Sequence, residues 1–108
     1  MHTGCVDFQS IKSLLATGSI SCTHLAEIYL QHIDKGAHLN AFLSVFTEKA
    51  LEQAAGVDRK VAQGTAGRLA GMFLGIKDNI AYSGGATTCG SRILAGYRSP
   101  FSATVLKR

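Results

Sequence analysis

One short apolar run that ends abruptly in polar residues constrains this chain most. Gly71-Met72-Phe73-Leu74-Gly75-Ile76 is followed directly by Lys77-Asp78-Asn79. A run of this length opened by glycine reads as a buried strand. In α/β proteins the ends of such strands carry side chains to a site while the backbone stays anchored in the core. Two readings of Lys77 follow. In a partly dry pocket it loses hydration, the ammonium form is disfavoured and the amine becomes a usable base. Otherwise it leaves the core and carries its charge to water, as lysines ordinarily do.

The 108 residues suit one small domain. With 46% hydrophobic and 17% charged residues, the chain has the composition of a soluble globular protein and not of a disordered one. No apolar run approaches the roughly 20 residues that a membrane span needs. Met1-His2-Thr3-Gly4-Cys5 has neither the basic flank nor the apolar centre of a secretory signal. A cytoplasmic location without membrane association is expected. Three scattered cysteines (Cys5, Cys22, Cys89) form no Cys-x-x-Cys and fit a reducing compartment. They do not combine with His2, His24, His32 or His38 at zinc-ligand spacing, so no metal site is expected.

The charge is uneven. Residues 1–67 hold five Lys/Arg against six Asp/Glu, whereas residues 68–108 hold six against Asp78 alone. Such asymmetry can mark a nucleic-acid face, but these cations are dispersed, with only Tyr97 and Phe101 nearby for stacking. A solvated basic face is the better reading.

Helical spacing dominates the first half. Asp7 can cap a helix with Phe8, Ile11, Leu14 and Leu15 on one face, ended by Gly18. Ser21 opens a second, with Leu25, Ile28, Tyr29 and Ile33 as its stripe, His32 along the same face, and Gly36 near its end. His24 stands where a capping box would place Glu. Ala41 to Phe46 is a β-favouring run. Thr47 is expected to cap a long helix, Glu48 to about Gln63, with Leu51, Ala54, Ala55, Val61 and Ala62 on its apolar face. Gly64 to Arg68 reads as a turn.

Beyond Ala81 the character changes. Tyr82 to Ser91 includes Gly84, Gly85, Gly90, Thr87, Thr88 and Cys89, a composition that permits unusual backbone angles and exposes amide N–H groups. It matches neither a Walker loop nor a Gly-x-Gly-x-x-Gly turn. Arg92 to Leu94 suggests one helical turn. Ser102 is expected to cap a helix from Ala103, and a helix that begins so near Arg108 points to a truncated chain.

Taken together, Leu39-Asn40-Ala41-Phe42, Leu69-Ala70-Gly71, Gly75-Ile76-Lys77-Asp78-Asn79-Ile80, Thr87-Thr88-Cys89-Gly90-Ser91-Arg92-Ile93-Leu94 and Ser102-Ala103-Thr104-Val105 resemble the amidase-signature family. The resemblance runs from about Phe8 onward. It is nearest to the branch that hydrolyses glutamine for amidotransferases acting on Glu-tRNA(Gln).

The resemblance implies an α/β fold class, a large mixed sheet covered by helices, of which this chain would be the N-terminal helices and first strands. Residues 1–108 would then be the N-terminal part of a single domain. It also implies a Ser–Ser–Lys triad with Lys77 as its base, and Asp78 and Asn79 supporting the turn that holds it. The lysine would activate a bridging serine, which relays the proton from the nucleophilic serine, and this requires a neutral Lys77. Both serines would lie in a Gly/Ser-rich segment beyond Arg108; Ser83 and Ser91 are not assigned to that role. The fragment alone would then be inactive.

No cofactor is implied for this chain. ATP and Mg2+ would be used by a partner subunit, and glutamine would be the substrate, with Glu-tRNA(Gln) reached through the partner subunits. The absence of proline from Met72-Phe73-Leu74 departs from the family without touching its chemistry. Two alternatives stay open: a stand-alone amidase acting on small amides with the same Lys77, and a noncatalytic truncated module.

Overall fold

Three of the amphipathic stretches become helices: α1 (Phe8–Ala16), α2 (Cys22–Lys35) and α3 (Thr47–Ala62). The computed structural model describes residues 7–107; the expectations for Met1 to Cys5, His2 among them, and for Arg108 lie outside the described residues. The chain divides into two units, Met1–Phe73 and Leu74–Arg108.

In the first unit the helix ends follow their local chemistry. Asp7 caps α1 by accepting the Ser10 N–H at 2.8 Å. Gly18 ends the helix in the left-handed region, φ 70°. The Gly18 N–H bonds Leu15 O at 3.1 Å and the Ser19 N–H bonds Leu14 O at 2.9 Å, a Schellman motif. The same device ends α3. Gly64 has φ 71°, its N–H bonds Val61 O at 3.1 Å, and the Thr65 N–H bonds Lys60 O at 2.9 Å. Ser21 caps α2 by accepting the His24 N–H at 3.1 Å.

α2 packs against α3. The core comprises Ile11, Leu15, Cys22, Leu25, Ala26 and Ala54, flanked by Ile20, Leu51, Val57 and Phe73. Asp58 stitches the two helices together. Its carboxylate accepts the Cys22 N–H at 2.6 Å, the Thr23 N–H at 3.0 Å and the Thr23 hydroxyl at 2.7 Å. An α2 N-terminus offers free N–H groups and positive potential, so a carboxylate from α3 satisfies both. Burial alone would raise the Asp58 carboxyl, but the bonds from Thr23 and Cys22 outweigh it and hold the group below its ordinary value. The Cys22 thiol is pushed up to about 11 by its burial and by the neighbouring Asp58 charge, which leaves it an inert core group.

Gly71 closes this unit. Its φ is 87°, and a Cβ there would run into the Leu15 side chain and press on Ile11. The next ring along, Phe73, meets Tyr29 with centroids 5.1 Å apart at a 48° tilt.

The described residues differ from several expectations. The stretches 41–46 and 71–76 form no strand, and the described residues contain a single isolated bridge and no sheet. A lone strand leaves its N–H and C=O groups without a ladder, and two or more partners with an apolar face are needed to hold it. Phe42 and Leu43 are accordingly exposed, at 50% and 76%. Thr47 is the first helical residue of α3, with Phe46 in the capping position. His32 is exposed and does not join the apolar face.

The second unit has no comparable core. Ala86 and Arg98 form an antiparallel bridge, flanked by Gly84 N–H to Ser99 O at 2.9 Å and Ser99 N–H to Gly85 O at 3.2 Å. The Arg98 guanidinium donates to Gly84 O at 2.9 Å. Short 3-10 turns cover Arg92–Leu94 and Thr104–Leu106. Ser102 does not cap the second of these; its hydroxyl accepts the Ser83 N–H at 2.9 Å. Among the described residues no helix is long and apolar enough to cross a membrane.

Candidate active site

Lys77 to Ile80 form a turn, closed by the Ile80 N–H donating to Lys77 O at 3.0 Å. Asp78 and Asn79 are its two central residues, types whose short polar side chains suit turns. The Lys77 side chain is exposed. The desolvation expected of a base at this position is therefore not supplied by the residues around it. Asn79 is exposed as well, whereas Asp78 is half-buried.

Asp78 is held from two directions. Its carboxylate accepts the Thr88 N–H at 2.9 Å, the Gly90 N–H at 3.4 Å and the Thr88 hydroxyl. Its backbone carbonyl accepts the Cys89 N–H at 3.0 Å. Bonds from the Thr88 hydroxyl, then from the Thr88 and Gly90 amides, outweigh a small desolvation and hold the Asp78 carboxyl below its ordinary value.

The loop adopts a special backbone to do this. Cys89 at φ 51° and Gly90 at φ 69° are both left-handed. Two such residues in succession turn the N–H groups of Thr88, Cys89 and Gly90 toward a single acceptor residue, an arrangement suited to an anion. Glycine takes that conformation freely; Cys89 holds it although it carries a Cβ.

The structure thus brings together Lys77, Asp78 and Asn79 on one turn, and ties that turn to the Thr-Thr-Cys-Gly segment. The residues alone do not single out Thr88. The one signal is an acid ten residues before a threonine with glycine two positions on, and nothing in that spacing specifies a contact. Among the described residues no group of three or more His, Cys, Asp or Glu side chains comes together to hold a metal ion.

The amidase family profile matches residues 24–108, a span that includes Lys77, Asp78 and Thr88, and the chain belongs to the amidase family. Among its relatives is the glutamyl-tRNA(Gln) amidotransferase A-subunit of Chlorobium chlorochromatii, 44% identical over 102 residues, covering 94% of this chain and 22% of that protein. The corresponding protein of Bordetella bronchiseptica is 41% identical over 108 residues, covering 100% of this chain and 21% of the relative. That of Chlamydia felis is 43% identical over 100 residues, covering 91% and 20% respectively. The chain therefore spans about a fifth of the length of the curated relatives it matches.

Proposed function

We propose that this chain is the N-terminal part of the glutamine-hydrolysing subunit of an amidotransferase that converts Glu-tRNA(Gln) to Gln-tRNA(Gln). The observation that carries this reading is the similarity to the amidotransferase relatives over almost the whole chain, a span that takes in the position of Lys77. Lys77 is the base of the Ser–Ser–Lys triad. It takes a proton from a bridging serine, which in turn takes one from the serine attacking the glutamine side-chain carbonyl. The relay returns that proton to the amide nitrogen as the C–N bond breaks, ammonia leaves for the partner subunit, and water then hydrolyses the glutamyl ester on the serine to release glutamate. Asp78 and Asn79 shape the turn from which the lysine projects.

In this reading residues 1–108 are one part of a single domain whose mixed sheet takes up the runs 41–46 and 71–76 as strands. Those strands and the covering helices would dry the surroundings of Lys77, and only then is the amine a competent base. Alone, the chain is inactive. ATP and Mg2+ belong to a partner subunit, and no step on this chain runs through them. The complex acts in the cytoplasm.

The test is glutamine hydrolysis by the full-length protein with its partner subunits. Lys77→Ala lowers turnover by about three orders of magnitude or more, with the fold retained by circular dichroism. Retained turnover removes Lys77 from the mechanism. Full activity on small amides, independent of partner subunits and charged tRNA, would instead identify a stand-alone amidase.

A further inference from the structure

We infer that Thr88 is a positioning residue for the lysine-bearing turn: its hydroxyl and amide hold the Asp78 carboxylate, and through Asp78 they fix where Lys77 is presented. This rests on the proposed role of Lys77 as the base.

The argument starts from what a lysine needs. Its amine sits at the end of a flexible four-carbon stem, so its placement depends on how firmly its Cα is held. The turn's own closure is one backbone bond, from the Ile80 N–H to Lys77 O at 3.0 Å. The residue that follows Lys77 adds four more bonds, all from the segment 88–90. The Thr88 N–H reaches Asp78 Oδ1 at 2.9 Å, the Thr88 hydroxyl reaches Oδ2, and the Gly90 N–H reaches Oδ2 at 3.4 Å. The Cys89 N–H reaches the Asp78 carbonyl at 3.0 Å. The Asp78 side chain and the peptide unit that joins Asp78 to Asn79 are thus both fixed, while the peptide unit that joins Lys77 to Asp78 is held by the Ile80 N–H on Lys77 O, so the turn is pinned on both sides of Asp78.

Thr88 supplies two of the four donors, and it is the only one of the three residues that contributes a side chain. Its hydroxyl also accepts the Gly90 N–H at 3.3 Å, so removing it disturbs the acid and the loop amide together. Bonds to a charged acceptor are the strong ones, which makes Asp78 a firm anchor. A group held this way acts on chemistry through geometry, since a displacement of about 1 Å at a reacting group can cost about 100-fold in rate.

The experiment uses the full-length protein with its partner subunits and measures glutamine hydrolysis as kcat and KM separately. Thr88→Val keeps the shape and removes the hydroxyl; kcat is expected to fall about 10- to 100-fold, with KM for glutamine within about twofold. Thr88→Ser restores the hydroxyl and is expected to recover most of that loss. Asp78→Asn combined with Thr88→Val is expected to be little worse than the poorer single variant, because both changes break one unit. Should Thr88→Val fail to fold, Asp78→Asn alone replaces it, judged by the same split between kcat and KM.

An unchanged kcat in Thr88→Val, a change confined to KM, or a Thr88→Ser variant as impaired as Thr88→Val would each overturn the positioning role. Lys77→Ala is measured alongside. If it abolishes turnover while Thr88→Val is normal, only the positioning role falls. If Lys77→Ala remains active, the base assignment falls first and takes this inference with it.

Discussion

Two aspartates, one in each unit, are held by the same pattern and serve different ends. Asp58 accepts two backbone N–H groups and the Thr23 hydroxyl; Asp78 accepts two backbone N–H groups and the Thr88 hydroxyl. Around Asp58 the bonds are added to a core in which Leu25 is 2% and Cys22 1% exposed. Around Asp78 they are the main thing that holds the segment, since among the described residues all six buried hydrophobic ones lie in the first unit. The difference separates two uses of one motif. In the first unit apolar burial supplies most of the stability and the carboxylate sets the register of two helices. In the second the polar bonds themselves define the conformation, and what they define is the placement of the turn bearing Lys77.

This contrast predicts unequal responses, best read by hydrogen exchange because it resolves opening segment by segment. The largest effect belongs to the apolar core. Leu25→Ala removes a fully buried side chain and leaves a cavity, so the opening free energy of α2 and α3 amides should fall by about 2–5 kcal/mol. The amides of Thr88 and Gly90 should lose much less. Equal losses in both segments would show one cooperative structure and end the distinction.

Next comes the stitch between helices. Asp58→Ala strands the Cys22 and Thr23 N–H groups at the start of α2, one of them on a buried residue. The expected loss in the α2 amides is about 2 kcal/mol. A loss spread evenly over α1, α2 and α3 would mean that Asp58 serves general folding rather than the α2 N-terminus.

Acid should then distinguish the units. Both carboxyls lie below the ordinary aspartate value of 3.8 when folded. A depressed folded value means that the unfolded chain binds the proton more readily. The stabilisation is therefore complete above the unfolded value and is lost as pH falls from about 3.8 through the lower folded values. Protection of the Thr88 and Gly90 amides should fade across that window before α2 opens, since α2 retains its apolar contacts. Asp78→Asn should flatten the acid dependence of the loop and leave that of α2 unchanged. Simultaneous loss at both sites would contradict the idea that only the second unit depends on its carboxylate.

What can be read from the residues follows the same division. The ends of α1 and the start of α2 are legible because capping is local: Asp7, Gly18 and Ser21 act within a few positions of themselves. The apolar stripes are legible for the same reason. Thr47 misleads because a good capping residue also fits the first helical position, and the chain enters α3 one residue earlier. The runs 41–46 and 71–76 have the composition of strands, but a strand exists only with a partner, and a partner is not a local property. Lys77, Asp78 and Asn79 stand out as the end of an apolar run. The Asp58 and Asp78 stitches, 35 and 10 residues from their threonines, leave no periodic trace.

The smallest prediction is a gain, and it serves as a control on the others. Gly56 lies inside α3, where glycine costs backbone entropy relative to alanine. A Cβ there would meet only the Arg59 guanidinium, at 3.7 Å, an ordinary contact with the movable end of a long side chain. Its φ is not in the left-handed region, so alanine brings no strain. Gly56→Ala should therefore raise the opening free energy of α3 amides by about 0.5–1 kcal/mol. Because α3 carries Asp58, part of that gain should reach the α2 N-terminus through the carboxylate. In the Asp58→Ala background the gain in α3 should persist while the share felt at the Cys22 and Thr23 amides disappears. If the α2 amides respond to Gly56→Ala equally with and without Asp58, the helices communicate through packing alone, and the carboxylate is a capping group rather than a link.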